Sequence, residues 1–419
     1  MKIFAENFRG FKQIEVDLTK INFLVGDNSS GKSSILHLAD CILRNELTGA
    51  PRLNDDLGVG IYDYFSPYFK NADVTFGFTE TIDSNEFSKI ITVKKTRAEP
   101  YIKSCSYISN DMAITLTRTG ENVRTRIKRN IDNPNLKERL SIHHNGNGFS
   151  AGIKFLPDIS LGERGIVFAF IRIKDIKDEG FTSLLFGKST LSARIISPLR
   201  ALPEKFYTLK GRINSRDAHF AAMWLDLSKV AARDTLSDIE KFGKESGLFE
   251  AIKIRRLVKN LPDSPLIASV VKSNKEFFLN QVGVGVSQVV PVLIETIFST
   301  ASNARRKIPV LIQQPELHLH PIAQAALGSF FFRAGRKGVR GLLETHSSFL
   351  IDRFRAEIRD QNNNDDDNFS HENAVILFCE NSVEGNKAST VNIKPDGQIS
   401  GEPDTYHKFF VDELVRTMF

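Results

Sequence analysis

The sequence predicts an α/β fold with a mixed central sheet, an antiparallel β part toward the N-terminus and a helical insertion lobe. Three observations predict it. A strand, a glycine-rich turn and a helix start follow one another between Ile21 and Leu47. From about Phe78 to Ile173, short β-patterned runs alternate with turn clusters such as Asn145-Gly-Asn-Gly148. Ala218 to Leu261 is helical in pattern and rich in Lys and Asp/Glu, and from Leu266 onward strand-like and helical segments resume. The division that follows is an N-terminal lobe over 1–80, an inserted β-rich and helical region over 81–264 and a C-terminal lobe over 265–419.

Lys2–Phe8 and Gln13–Leu18 flank the turn signal Arg9-Gly-Phe-Lys12, which predicts a hairpin. Ile21–Val25 is an apolar run with the character of a buried strand. Behind it Gly26-Asp-Asn-Ser-Ser-Gly-Lys-Ser33 is a complete phosphate-binding loop. Ile35, Leu38, Ala39, Ile42 and Leu43 then recur at helical spacing. A strand, a glycine turn and a helix start make a nest of backbone N–H groups at the positive end of a helix dipole. Gly26, Asn28, Ser29, Ser30, Gly31 and Ser34 belong to that loop and first turn. Lys32 reaches the β/γ-phosphates, and the Ser33 hydroxyl is a Mg²⁺ ligand in such loops. The implication is binding of a nucleoside triphosphate.

Bulk properties narrow the setting. With 41% hydrophobic and 25% charged residues the composition is that of a globular protein. No apolar run approaches a membrane span, and the start lacks a signal-peptide layout, so the expectation is a cytoplasmic protein without a membrane partner. Cys41, Cys105 and Cys379 are far apart and form no disulfide or metal pattern. Between Ile91 and Asn130 stand nine basic residues (Lys94, Lys95, Arg97, Lys103, Arg118, Arg124, Arg126, Lys128, Arg129) against three acidic ones. That excess equals the net charge of +6 of the whole chain. Such a stretch is either a solvated strand face or a surface for nucleic acid or another polyanion. Asp360 to Asn368 is acidic and polar, an exposed insertion before a closing strand at Ala374–Cys379.

Three more segments carry chemistry. Gly283-Val-Gly-Val-Ser-Gln288 precedes a helical pattern over Val289–Ser299. Ser287 suits an N-cap, Pro291 a first turn, and Gly283 and Gly285 a close backbone approach. The segment is either a loop into a buried helix or a second phosphate-binding helix terminus. Ile308 to Pro321 has the layout of a Walker B strand, which presents groups that hold Mg²⁺ and orient the attacking water. Gly341-Leu-Leu-Glu-Thr-His-Ser347 is a strand leading to His346, within reach of a γ-phosphate. His318, His320 and His346 also allow a metal-site reading, but the remaining residues follow the nucleotide layout in order.

These motifs resemble those of an ABC-type ATPase of the AAA ATP-binding group, similar to the OLD family and to RecF and SMC heads. The matching residues are Asn7-Phe-Arg-Gly-Phe11, the P-loop, Ser197-Pro-Leu-Arg200, Gly285-Val-Ser-Gln288, Pro315-Glu-Leu-His-Leu-His-Pro321, Glu344-Thr-His-Ser347 and the tail Lys394 to Gly401. Residues from about 80 to 190 and from 205 to 265 match only in general character. The resemblance implies ATP and Mg²⁺ as ligands, with Ser287 acting in trans as the signature serine. It implies His320 at the D-loop position and His346 as the switch histidine. It also implies a homodimer, or higher homo-oligomer, with ATP shared between subunits.

Relatives of this type place one or two carboxylates directly before Pro315, where this chain has Gln313 and Gln314. A glutamine is a weak Mg²⁺ ligand and orients a water, but it is no general base at neutral pH. Three explanations compete: Glu316 supplies the carboxylate, hydrolysis is slow, or a glutamine replaces a natural glutamate to trap ATP. The expected catalytic set is therefore Gln314, Glu316 and His346, with Ser33 and Gln313 at the metal. No glutamine marks a Q-loop before Phe78, where Asp55 or Asp56 is the substitute. About seventy residues follow His346, without the clustered acids of a Toprim nuclease. The resemblance then favours a stand-alone ATPase of the kind found in anti-phage systems such as Septu or PARIS, gating a separate effector nuclease. The alternative is a RecF-like ATPase that clamps DNA through residues 91–130.

Overall fold

The computed structural model describes residues 1–43, 72–82, 84–94, 101–119, 122–129, 131–132, 134–145, 149–151, 193–208, 219–230, 233–261, 263–301, 309–361 and 369–410. The chain opens with β1 (Lys2–Phe8), β2 (Phe11–Asp17), β3 (Ile21–Gly26) and helix α1 (Lys32–Leu43). There follow β4 (Val74–Ile82), β5 (Asn85–Lys94), β6 (Tyr101–Ile108), β7 (Met112–Thr119), β8 (Asn122–Arg129), α2 (Leu136–Asn145) and β9 (Phe149–Ala151). Next come β10 (Arg194–Ile196), α3 (His219–Val230), α4 (Arg233–Ser246), β11 (Ala251–Arg256), β12 (Leu266–Lys272), β13 (Lys275–Phe278) and α5 (Val284–Ala301). The chain continues through β14 (Val310–Gln313), α6 (Pro321–Arg336), β15 (Gly341–Glu344), α7 (Ser348–Gln361), β16 (Ala374–Glu380), β17 (Lys387–Ile393) and β18 (Ile399–Ser400). The class is α/β, as the pattern predicts. Among the described residues no helix is long and apolar enough to cross a membrane.

Two compact units share these elements, one of 1–18, 27–192 and 379–388, the other of 19–26, 193–378 and 389–419. Each draws on all three blocks of the sequence division. In the first unit an eight-stranded sheet runs β2-β1-β4-β5-β6-β7-β8-β9, antiparallel throughout. The expected hairpin is its edge, with Phe8 opposite Phe11 around Arg9 and Gly10. Helix α1 packs on β1 and β4 through the face predicted from its spacing, with Ile35, Leu38, Ala39, Ile42 and Leu43 buried.

Helix α2 lies in a region whose sequence reads as β. Its signal is a capping box. The Asn135 side chain accepts the Glu138 N–H at 3.0 Å, and Glu138 accepts the Asn135 N–H at 2.9 Å. Leu140 packs with Phe4, Ile90, Ile108 and Ala113 of the sheet. Arg139 is 1% exposed yet well supplied with acceptors: Pro134 O at 2.6 Å, Ser88 Oγ at 3.1 Å and Ile108 O at 3.2 Å. Those bonds, with the Glu86 carboxylate at 3.3 Å, make a buried guanidinium tolerable.

In the second unit a seven-stranded mixed sheet runs β10-β14-β15-β3-β16-β17-β18. The four strands β10, β14, β15 and β3 are parallel neighbours. Every residue of β3, β14 and β15 is buried, the mark of parallel strands covered on both faces. Their core joins Phe23 and Val25 to Ile312, Leu343, Phe330 and Phe354. The helical expectation for Ala218–Leu261 holds for α3 and α4 and fails beyond them. Gly247, at φ +68, ends α4, and Ala251–Arg256 alternates buried and exposed residues as β11. It joins β12 and β13 in a three-stranded antiparallel sheet.

Candidate nucleotide site

The loop after β3 has the backbone of an anion nest. Gly26, Ser29 and Gly31 have φ of 138°, 62° and 101°, and the helix opens at Lys32. Only glycine suits position 31, where a Cβ would lie 2.5 Å from the Phe11 ring at a positive φ. Asn28 and Ser29 are exposed, while Ser33 and Ser34 sit half-buried in the first turn of α1. Ser30 is fully buried and its Oγ has no hydrogen-bond partner. The Lys32 Nζ turns back to donate to the carbonyl of Asp27 at 2.6 Å. An orphaned hydroxyl, a loop backbone with three positive φ values and a cation on the loop's own carbonyl suit a phosphate group. Asp55 and Asp56, the suggested Q-loop substitutes, lie outside the described residues, as does 362–368 of the acidic insertion.

The second unit assembles the other motifs at one sheet edge. Leu24 of β3 stands opposite Glu344 of β15, and Glu344 opposite Gln313 of β14. The Gln314 N–H bonds Glu344 O at 2.8 Å, and the Thr345 N–H bonds Leu24 O at 3.0 Å, so the ladder runs past the strand ends. Gly26, where the phosphate loop begins, closes the neighbouring strand. At this edge the Gln313 Nε2 donates to the Glu344 Oε2 at 3.1 Å, both side chains buried. Gln314 has φ +44, which turns the backbone sharply before Pro315.

Glu316 is 8% exposed, and its Oε1 accepts the His346 N–H at 2.8 Å. Its Oε2 has no partner. Burial pushes this carboxyl above its ordinary range, against the opposing pull of the His346 amide, other hydrogen bonds and Arg200. Arg200 comes from the segment after β10. It donates to Gln288 O at 3.4 Å, Gln313 O at 3.3 Å and Gln314 O at 3.1 Å. Burial lowers its pKa to about 10, with Glu316 and Glu295 opposing the drop. Arg200 thus ties the start of α5 to the end of β14.

Two expectations need correction here. Helix α5 starts at Val284, so Ser287 lies inside its first turn and does not cap it. The Ser287 hydroxyl donates to Val284 O at 3.0 Å, and the side chain is 4% exposed. Pro291 consequently lies within the helix, not in its first turn. Gly283 accepts the Val286 and Ser287 N–H groups and is the residue before the helix. Gly285 permits a close approach, though to this chain itself: a Cβ there would lie 2.6 Å from His318 O.

His320 is the N-cap of α6, its ring accepting the Ala323 N–H at 3.3 Å. Among the described residues no group of His, Cys, Asp and Glu is placed to hold a metal. His346 is half-buried, 6.4 Å from the ring of Phe409. Ser347 caps α7, its Oγ accepting Leu350 N–H and donating to Gln324 Oε1 at 2.6 Å. The edge thus gathers Gln313, Gln314, Glu316 and His346 with two residues outside the expected set, Glu344 and Arg200. Their signal in the sequence was a charge beside an apolar strand, Glu344 after Gly341-Leu-Leu and Arg200 after Arg194-Ile-Ile. In the basic segment, Lys94, Arg118, Arg124, Lys128 and Arg129 are exposed, and Lys103 pairs with Asp73 at 2.6 Å. Lys95 and Arg97 lie outside the described residues.

Residues 1–151 match a family described as AAA ATPase domain. No curated protein matches the chain. Among solved structures, the chain is similar to an SMC head bound to the C-terminal winged-helix domain of ScpA. The two share 13% identity and a TM-score of 0.46, over 94% of this chain and 97% of that one. An SMC head domain from Thermotoga maritima gives 13% and 0.38, over 94% and 98%. A third is an SMC head with an extended coiled coil, bound to a C-terminal domain of ScpA derived from Pyrococcus furiosus. It gives 13% and 0.45, over 99% and 98%.

Proposed function

We propose that the protein is an ATP-gated switch that binds ATP-Mg²⁺ and hydrolyses it slowly. One observation carries this reading: in the sheet that holds β3, from which the phosphate loop issues, β14 stands one strand beyond β15 and ends in amides, Gln313 and Gln314, where a fast ATPase needs carboxylates. The loop amides and Lys32 would hold the phosphates, and Ser33 with the Gln313 carbonyl the metal, which neutralises phosphate charge when bound. Glu344 fixes the Gln313 amide, and Gln314 and His346 orient water. Glu316 is held by the His346 amide and faces Arg200, so it positions the His346 turn. In the manner of the ATPases it resembles, two copies would enclose ATP between the loop of one and the α5 start of the other. The assembled form would control a separate effector, a nuclease in an anti-phage system.

The test is direct. Lys32→Ala should abolish ATP binding by calorimetry and any ATP-dependent change in mass by light scattering, and unchanged ATP affinity would sink the reading. A second reading, a DNA clamp, draws on the exposed cations of β8. It requires duplex binding whose affinity falls steeply with salt, roughly one unit of log–log slope per phosphate contacted.

A further inference from the structure

The first unit holds a polar cavity of about 790 Å³, lined by none of the residues assigned to ATP or Mg²⁺. Its floor is a single row of side chains crossing the eight-stranded sheet. Register places Gln13, Glu6, Thr75, Thr92, Ser104 and Thr117 opposite one another in turn. Polar side chains along a sheet row are an unusual floor, since that face elsewhere buries Phe4, Ile90 and Ile108 beneath α2. Two of the hydroxyls are held by the buried His143, whose Nε2 lies 2.8 Å from Thr92 Oγ1 and 3.2 Å from Ser104 Oγ. Its Nδ1 lies 2.7 Å from Ser106 Oγ, so the ring is fixed on both sides.

The rim is basic. Lys12 comes from β2, Arg126 from β8 and Lys387 from the start of β17. None of the three is in an ion pair among the described residues. Lys103 adds a fourth cation through a β-bulge: Thr92 faces Ser104 while Val93 faces Ile102, so Lys103 is the extra residue and its side chain is re-aimed. Of the three lining acids, Asp73 is paired with Lys103, Glu6 is hydrogen-bonded to the His144 ring, and Glu384 is the third. Unpaired cations above a hydroxyl floor, in a space of ligand-pocket size, suit a phosphate ester with a polar body.

The lining also reaches the phosphate loop. Asn386 lines the cavity, and its N–H donates to Gly10 O at 2.8 Å. Its side-chain amide donates to Ser29 O at 3.4 Å and packs where a Cβ on Gly31 would intrude, 2.9 Å away. One residue therefore belongs to the cavity wall and props the phosphate loop from behind.

We propose that this cavity is a second binding site, for a small phosphorylated ligand of dinucleotide size, and that Asn386 couples its occupancy to the phosphate loop. The coupling, though not the site, rests on nucleotide binding at that loop. The experiment titrates the full chain carrying Lys32→Ala with a 5′-phosphorylated thymidine dinucleotide as probe. One equivalent should bind, weakened at least about tenfold by Arg126→Glu with Lys387→Glu, and likewise by Lys12→Glu on a different strand. No binding up to millimolar probe, or binding indifferent to these reversals, overturns the site. Binding of a duplex but not of the dinucleotide also overturns it, in favour of an open nucleic-acid surface. In the otherwise unaltered chain the probe should change ATP affinity, and Asn386→Ala should remove that change. Persistence of the change in Asn386→Ala overturns the coupling. Because the first titration uses Lys32→Ala, its outcome does not depend on whether the phosphate loop binds ATP.

Discussion

Replacing Gln313 by Glu tests the meaning of the amide at the strand end. In the native chain the Gln313 Nε2 lies 3.1 Å from the Glu344 Oε2. The isosteric Gln313→Glu puts a second carboxylate oxygen at that distance, in a buried setting. Two full charges there repel by about 5 kcal/mol at an effective dielectric of about 20. The pair has a cheaper course at neutral pH, which is to keep one proton. Holding a proton at pH 7 on a group with a free value of about 4.3 costs about 4 kcal/mol, so protonation wins and sets the penalty. The sign follows from a folded pKa raised above the unfolded one. Stability is full below about pH 4.3 and falls by about 1.4 kcal/mol per unit as pH rises, levelling near pH 8, where the repulsion becomes the smaller cost. The assay is urea unfolding read by Trp224, the chain's one Trp, which packs in the core of the same unit. The midpoint loss should grow from about 1 kcal/mol at pH 5 to about 4 at pH 7. Mg²⁺ with ATP should recover most of it, and turnover should rise. An equal penalty at both pH values would refute the pairing, and unchanged turnover would remove the amide as the limiting feature.

Four further outcomes are expected, the first being the loss of ATP binding in Lys32→Ala. Gly283→Arg places a long cation at the start of α5, where a Cβ meets nothing within 4 Å. It should leave ATP binding by the monomer intact and block ATP-dependent assembly in light scattering. Ser287→Arg is the poorer test, since Ser287 is buried. Arg200→Ala strands three carbonyls and leaves Glu316 buried without its cation. At roughly 1 kcal/mol or more for each bond to a charge, less the guanidinium's own desolvation, the chain should lose about 3 kcal/mol in the same urea assay, and Arg200→Lys should not restore it. Burial, with His144 and Lys103 adding, depresses the His143 pKa from 6.5 to about 3. Its contribution is whole above about pH 6.5 and is lost by about 1.4 kcal/mol per unit on acidification toward pH 3. His143→Gln should flatten that acid limb of the melting curve.

What the sequence revealed follows the range of the forces involved. The phosphate loop, its strand and its helix face were legible because they are local: contiguous apolar residues, glycines at required φ values and a fixed 3.6-residue spacing. The hairpin at Arg9–Gly10 was legible for the same reason. Helix α2 was missed although its capping box is local, because β-patterned neighbours outweighed four residues of signal. The extension of the helix past Ser246 failed because Lys and Arg on a two-residue alternation resemble a helix's charged face until the pairing partner, β12, is known. Ser287 as an N-cap failed through a shift of four residues: two glycines seemed to postpone the helix, yet it starts between them. Arg200 and Glu344 stand in matching motifs but had no assigned role, because their roles lie in contacts across β14 and α5 that no spacing encodes.

The amides at the strand end acquire their meaning from Glu344. A lone glutamine in a Walker B position is a missing acid. A glutamine bonded to a buried glutamate one strand away is a different arrangement, in which an acid is present and restrained by the amide. The edge therefore retains a carboxylate near Gly26 without the repulsion that two acids would impose in the absence of a cation. Such an edge stays stable with the loop empty. Both of its carboxylates are restrained, Glu344 by Gln313 and Glu316 through one oxygen by the His346 amide. Stability without ligand and restrained carboxylates are consistent with the slow hydrolysis proposed above. A rapid-turnover ATPase would need the opposite arrangement, acids strained against each other until the metal arrives.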